Sequence, residues 1–246
     1  NADLLGGTFV NDRANNHKSA LYINGKQDSL IVQHSDILNP SDQLSMSLWL
    51  KIDQFSNTWS PILQKGLPFE SAGKNREYAL WANSAGHLAL LSAGNGQKQA
   101  AHKINISTGE WFHYGASLNR KDKKASLYLN GQLVHTQSDP YTNFNNGKGN
   151  LTIGSCPSIE EFESVSNFRG TIDDLKLYNI ALSPGEFYAI FNEPVDANSS
   201  DSSVKDDNVS GEVVSTPSTS LNKANLIGYW KFNRDANDSS THANNA

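Results

Sequence analysis

The chain has 246 residues, 37% of them hydrophobic and 18% charged, with a formal net charge of −5. That is enough apolar material for a full core, in one large all-β domain or two small ones. The acidic balance argues against nucleic acid and anionic membrane as main partners, and the densest basic cluster, residues 120–124, falls between two strand patterns and reads as a solvated turn.

A single cysteine, Cys156, excludes an internal disulfide and any thiolate zinc site, and it reads as a half-buried small side chain. No apolar stretch approaches the roughly 20 residues of a membrane-spanning helix, so membrane insertion is not expected. No signal peptide pattern is present, and the chain is expected to be soluble, either whole or as a processed fragment.

The head, NADLLGGTFVNDRANN, reads as a loop. Ten short runs follow with turn signals between them: ALYIN, SLIVQ, SMSLWLKI, SPILQKG, EYALWAN, HLALLSAG, WFHYGASLN, ASLYLNGQLVHTQ, NLTIGS and GTIDDLKLYN. Alternation without a long amphipathic helix predicts an all-β antiparallel sandwich or jelly roll. Asn130-Gly131 joins two runs as a tight primed hairpin turn. Residues 183–192 predict one helix, with Ser183 as N-cap, Pro184 at the first position and Glu186 completing a capping box.

Residues 193–225 are rich in Ser, Asp, Asn and Thr and hold no aromatic, which predicts a flexible linker. Residues 226–246 then open with GYWKFN, which alternates Tyr229, Lys231 and Asn233 against Trp230 and Phe232, and continue with a turn-rich NDSSTHANN. A domain cut after its first strand has nothing to pack on. The dipeptide Asn1-Ala2 recurs at Asn245-Ala246, as in a piece of a tandem array cut at equivalent points.

Trp111 to His113 as W-x-H, YLNG ending at Gly131, and G-x-I-D-D from Gly170 followed by LYNIALSPGE resemble the laminin-G-like branch of the concanavalin A-like lectin and glucanase superfamily. The likeness runs in the family's order over residues 19–192. It implies a curved two-sheet jelly roll whose first and last strands are neighbours. The family's first strand is like the tail's GYWKFN, so the expected organisation is residues 1–192 lacking that strand, a linker at 193–225, and residues 226–246 supplying it. The tail would complete its own chain, as in a circular permutant, or a neighbour's in a strand-swapped homodimer.

The resemblance also implies one structural Ca²⁺, with Asp173 as its best-matched ligand, Asp174 beside it, Asn24 and Gly25 from a turn, and Asn233 from the tail. Ca²⁺ takes six to eight oxygen ligands. The alternative for Asp173 and Asp174 is to cap a strand and pair with Lys or Arg. His113 matches a structural position. The paired E-x-D-x-x-E carboxylates of the superfamily's glucanases are absent, and Glu160, Glu161 and Glu163 lack that spacing, so no catalytic residue is expected.

Sugars need flat aromatic faces with polar groups around them. Trp49, Trp111 and Trp230 fall on strand patterns and read as core; Trp59 and Trp81 are the candidate platforms, with Arg76, Glu77 and Tyr78 as hydrogen-bonding partners and the loop at 67–76 as a cleft wall. The sequence thus points to a calcium-stabilised, non-catalytic module binding glycan or polysaccharide, secreted or at a cell surface. The alternative is a structural or adhesive tandem repeat binding protein or neighbouring repeats. An atypical lyase or hydrolase ranks third.

Overall fold

The computed structural model describes residues 2–55, 59–66, 76–92, 100–105, 107–138, 147–156, 167–195 and 223–244. Their strands, in chain order, are β1 (Ala2–Leu5), β2 (Thr8–Val10), β3 (Ala20–Asn24), β4 (Ser29–Val32), β5 (Gln43–Ile52), β6 (Trp59–Gly66), β7 (Arg76–Asn83) and β8 (His87–Ser92). They continue with β9 (Ala100–Lys103), β10 (Trp111–Asn119), β11 (Lys124–Leu129), β12 (Gln132–Ser138), β13 (Leu151–Ile153), β14 (Arg169–Tyr178) and β15 (Leu226–Trp230). The helix α1 spans Pro184–Phe191.

Two antiparallel sheets form. One has the order β1-β4-β13-β6-β7-β8-β9, and the other β12-β11-β10-β5-β14-β3-β2, with β15 also paired to β14. Alternate residues of the two inner faces make one core: Leu44, Met46, Leu48 and Leu50 of β5 meet Tyr78, Leu80, Leu88 and Leu90 from the facing sheet. The head departs from its expected loop. β1 pairs with β4 and β2 with β3, because Gly6 and Gly7, both at positive φ, turn the chain from the edge of one sheet to the edge of the other.

The hairpin between β11 and β12 closes through Asn130 at φ 49° and Gly131 at φ 75°, the left-handed pair that a primed turn requires. The side chain of Asn130 accepts from the His113 N–H and its own N–H donates to the His113 carbonyl, tying the turn to β10. α1 starts with the expected capping box: Ser183 Oγ accepts from the Glu186 N–H, and the Ser183 N–H donates to Glu186 Oε2 at 2.7 Å. Its Phe187 stacks on Tyr128 on the outer face of the second sheet.

One edge of β14 is shared by two strands. β3 pairs with it from Arg169 to Ile172, and β15 from Leu175 to Tyr178. Between them lies a bulge at Asp173 and Asp174, where Asp174 takes φ 48°. β15 brings Trp230 opposite Leu175, and both Trp230 and the following Phe232 are fully buried. Gly228 leaves room for the Trp230 ring, which a Cβ there would approach to 2.6 Å.

Behind β15 the D-S-S loop folds back on it. Asp238 Oδ1 accepts from the N–H groups of Tyr229 and Ser240, and Oδ2 from Ser240 Oγ, the Asn244 N–H and Asn244 Nδ2. The linker expected over 193–225 lies outside the described residues from 196 to 222. Its last three residues, Lys223–Asn225, form a 3-10 turn rather than irregular chain. Asn179 N–H donates to the Asn225 carbonyl, bringing that turn to the end of β14.

Candidate functional site

Of the expected sugar-binding residues, three meet on the outer face of the first sheet. The Trp59 and Trp81 rings lie 6.5 Å apart, and the Arg76 guanidinium sits 4.9 Å above Trp81 while donating from Nε to Gln64 Oε1. Trp81 is only 4% exposed, packed with Ala79, Ala89, Leu91 and Cys156, so it presents no open ring face. Burial pushes the Cys156 thiol up to about 12, which keeps it protonated and unreactive, in keeping with a small apolar role.

Tyr78 and Glu77 are not part of that cluster. Tyr78 points into the core and donates its hydroxyl to the Leu38 carbonyl, because the residues of β7 that face inward are Tyr78, Leu80 and Ala82. Glu77 is fully buried, accepts from the Gly147 N–H, and carries its charge beside Lys65 and Arg120. The loop expected to wall a cleft lies outside the described residues except for Arg76, and so do Glu160, Glu161 and Glu163.

Of the five residues expected to hold Ca²⁺, Asn24 and Gly25 stand apart from Asp173 and Asp174. Asn24 pairs with Arg169, four residues along β14 from Asp173, a separation of about 13 Å at strand spacing. Asn24 Oδ1 instead accepts from the Lys26 N–H, and Gly25 makes the turn at φ 78°, where a Cβ would approach that of Arg169 to 3.0 Å. Asp173 and Asp174 meet a cation of the protein's own: Arg13 Nη1 donates to Asp173 at 2.7 Å and Nη2 to Asp174 at 2.9 Å. A guanidinium filling that space does not fit a dication there. The Tyr229 hydroxyl donates to the other oxygen of Asp174, so head, β14 and tail meet in one clasp. Asn233 follows the buried Phe232, and the next residue, Arg234, donates its N–H to the Lys18 carbonyl.

Burial and the neighbouring Asp174 charge push the Asp173 carboxyl upward, against the opposing pull of Arg13. Arg13 also lies 4.4 Å over Trp49. Trp49 and Trp111 are therefore outer-face residues rather than core: Trp49 sits between Arg13, His113 and Phe191, and Trp111 under Lys51. Trp230 alone of the three is core. His113 is buried with Nε2 2.8 Å from Ser47 Oγ, and desolvation, with Lys176 and Arg13 near it, lowers its pKa to about 3. It stays neutral and structural.

An open groove lies where β15 joins β14. Lys176 of β14 and Tyr229 of β15 are cross-strand partners, so both point to the outer face, and Tyr178 and Lys231 follow two residues along. Leu226 and Lys223 from the 3-10 turn, Glu193 after α1, and Ser239, Ser240 and Thr241 of the tail loop complete the lining. The volume is about 510 Å³. The Lys176 ammonium pairs with Glu193 and lies 4.8 Å from the Tyr229 ring centroid, and the Lys231 ammonium lies 5.3 Å from the same ring. Such an arrangement offers an aromatic body, cationic donors and hydroxyls in one concavity.

Residues of this groove escaped sequence reasoning because their union depends on the register of β15 against β14. The one available signal was the shared face of Tyr229 and Lys231 in GYWKFN.

Residues 24–187 match the laminin-G profile described as concanavalin A-like lectin/glucanases superfamily. The chain belongs to this superfamily. Its membership covers the two sheets from the end of β3 to α1, and the head strands and the tail lie outside the matched segment. No curated protein matches the sequence.

Among solved structures, the superfamily fold is shared with a heptameric SAP-like pentraxin from Limulus polyphemus at 16% identity, covering 76% of this chain and 81% of that one with a TM-score of 0.51. The botulinum neurotoxin serotype C1 binding domain is similar at 17% identity and TM-score 0.60, over 78% of this chain and 47% of that one. A further botulinum neurotoxin type C structure, whose cell entry is described as dependent on two ganglioside molecules, gives 15% identity and TM-score 0.61. This chain covers 46% of that toxin chain. At these identities the likeness is one of fold.

Proposed function

We propose that this chain is a non-catalytic carbohydrate-binding module, acting outside the cell or at its surface, with the β14–β15 groove as its binding site. The observation that carries the reading is the groove itself: Tyr229 flanked by Lys176 and Lys231, in one lining with Ser239, Ser240 and Thr241. Its volume falls in the range of about 300–1,000 Å³ usual for ligand sites. Superfamily membership supports a lectin-like role, as do two neighbours of similar fold, one described as a binding domain and the other as a neurotoxin whose cell entry depends on gangliosides.

The non-catalytic part rests on the buried carboxylates. Asp12 accepts from the Ala14 and Asn16 N–H groups, Asp28 from the Asn24 N–H, Glu77 from Gly147, Asp173 from Arg13 and Asp238 from five donors of the tail. Each is committed to holding backbone or a fixed cation, which suits structure better than proton transfer.

Amide chemical-shift mapping of the whole chain against a panel of oligosaccharides tests the site. Shifts concentrated at residues 176–178 and 223–241 are expected. Shifts confined to Trp59, Arg76 and Trp81 would move the site to the first sheet, and no shift with any glycan would remove the reading.

A further inference from the structure

The tail is a unit held together by its own bonds. The five donors to Asp238 all lie within residues 229–244: the N–H groups of Tyr229, Ser240 and Asn244, with Ser240 Oγ and Asn244 Nδ2. Asn244 Nδ2 also donates to the Ile227 carbonyl, and the Ser239 N–H to the Tyr229 carbonyl. A second, separate set of contacts joins this unit to the body. It comprises the β14–β15 ladder over Leu175 to Tyr178, the Tyr229 hydroxyl on Asp174, the Arg234 N–H on the Lys18 carbonyl, and the buried Ile227, Trp230 and Phe232. Each surface of that second set is present on every copy of the chain. We infer that a second copy of this chain is a partner: its tail docks on β14 in place of the chain's own, two chains exchange tails, and each β14–β15 groove is then built from both.

The placement of the chain ends makes both forms reachable. Glu193 and Lys223 line the same groove, so the two ends of the intervening segment are neighbours. Between residues 195 and 223 lie 222 − 195 = 27 residues, which extend to at most about 90 Å at about 3.3 Å each. In a single chain that segment closes a loop, and in the exchanged pair it crosses to the partner. Both forms make the same contacts at the β14 edge, so those contacts cancel and protein concentration decides between them. A connection as flexible as its composition implies holds the tail at an effective concentration of about 1 mM, so exchanged pairs take about half of the chains near that concentration and are scarce far below it. Passing from one form to the other exposes the fully buried Trp230 and Phe232, so the passage is slow and the form adopted during folding persists. In the exchanged pair Lys176, Tyr178 and Glu193 of a groove come from one chain, and Tyr229 and the 239–241 loop from the other.

Two variants of the full chain test this, Lys176→Cys and Tyr229→Cys, which alter cross-strand partners on the outer face. Cys156 is 4% exposed and its thiol stays protonated, so it does not compete. The two variants are unfolded together in urea under reducing conditions, refolded in equal amounts at two total concentrations, and then oxidised. A disulfide between positions 176 and 229 of different variants forms only where the tail of one chain lies on the body of the other. It is expected in about a quarter of the chains refolded at about 1 mM and in about one in a hundred at about 10 μM. Tyr178→Cys with Leu226→Cys, partners at the other end of the ladder, gives the same reading where the first pair does not refold. Light scattering of the unsubstituted chain, refolded at the same concentrations, should find about half of the mass as dimer at about 1 mM and a few per cent at about 10 μM. No dimer at the higher concentration would overturn the exchange. A dimer in which refolded variants form no mixed disulfide would place the contact on another surface and overturn it equally. No sugar enters the experiment, so its failure leaves the carbohydrate reading standing.

Discussion

Trp230→Ala tests whether the tail is part of the core. Trp230 is fully buried, sits opposite Leu175 on β14 and packs over Gly228, with Phe232 fully buried beyond it. Truncating a large aromatic in such a site removes its transfer free energy and leaves a cavity, together about 3–5 kcal/mol. In a domain of this size each kcal/mol moves the melting midpoint by about 2–4 °C, so a fall of about 6–20 °C is expected. Trp111→Ala is the internal control. Trp111 lies partly exposed on the outer face under Lys51, and its loss should cost less than about 1.5 kcal/mol. Calorimetry or urea titration of both variants reads the difference. If Trp230→Ala fell no further than Trp111→Ala, β15 would be an attached strand and not a wall of the core.

Four further outcomes follow from the same structure. Arg13→Ala leaves Asp173, 2% exposed, and Asp174 facing each other without their cation, and should cost about 3–5 kcal/mol by urea titration; adding Asp173→Asn should recover part of it. Asp238→Asn makes one oxygen of a five-bond acceptor into a donor among donors, and should lower the melting midpoint by more than about 5 °C. His113 has its pKa depressed to about 3, so the unfolded chain binds the proton first; the stability tied to it is complete above about pH 6.5 and is lost as pH falls towards 3. The melting midpoint of the wild type should therefore drop more steeply between about pH 6.5 and 4 than that of His113→Gln. Chelation by EDTA should leave the midpoint within about 1 °C, since Arg13 occupies the place of the expected ion; a larger fall would restore calcium to the protein.

All ten expected strand runs are strands, because β5 and its like put an apolar residue at every second position, as Leu44, Met46, Leu48 and Leu50 do, and the pattern carries its own period. The hairpin at Asn130-Gly131 and the cap at Ser183 were equally visible, since each depends on one or two residues and their local chemistry. The head strands were not, because ADLL and TFV are too short to show a period and become strands only through β4 and β3. The outer-face positions of Trp49 and Trp111 were hidden for a related reason. An aromatic on a strand reads as core unless something else is known to cover it, and here the covers are Arg13, Phe191 and Lys51.

The same distinction separates the sites. Asp173 and Asp174 were recognisable as a special pair from their motif, but their partner is a head residue 160 positions away. Trp59, expected in a loop, opens β6 and meets Arg76 and Trp81 because β6 pairs with β7, yet packing around Trp81 closes the ring face that a sugar would need. The groove lysines depend on Lys176 meeting Tyr229 across strands separated by 53 positions in the chain, which no local pattern encodes.

The division of β14's edge between β3 and β15 also bears on how the protein is made. At synthesis rates of about 5–20 residues per second, the body up to α1 is released several seconds before residues 226–244. During that interval the second half of β14 presents bare backbone, and the space later filled by Trp230 and Phe232 stands open to water. Folding can finish only when the last strand arrives. Closing so long a loop makes that step slow beside the local hairpins, and it leaves the nascent chain with an adhesive seam in a crowded setting.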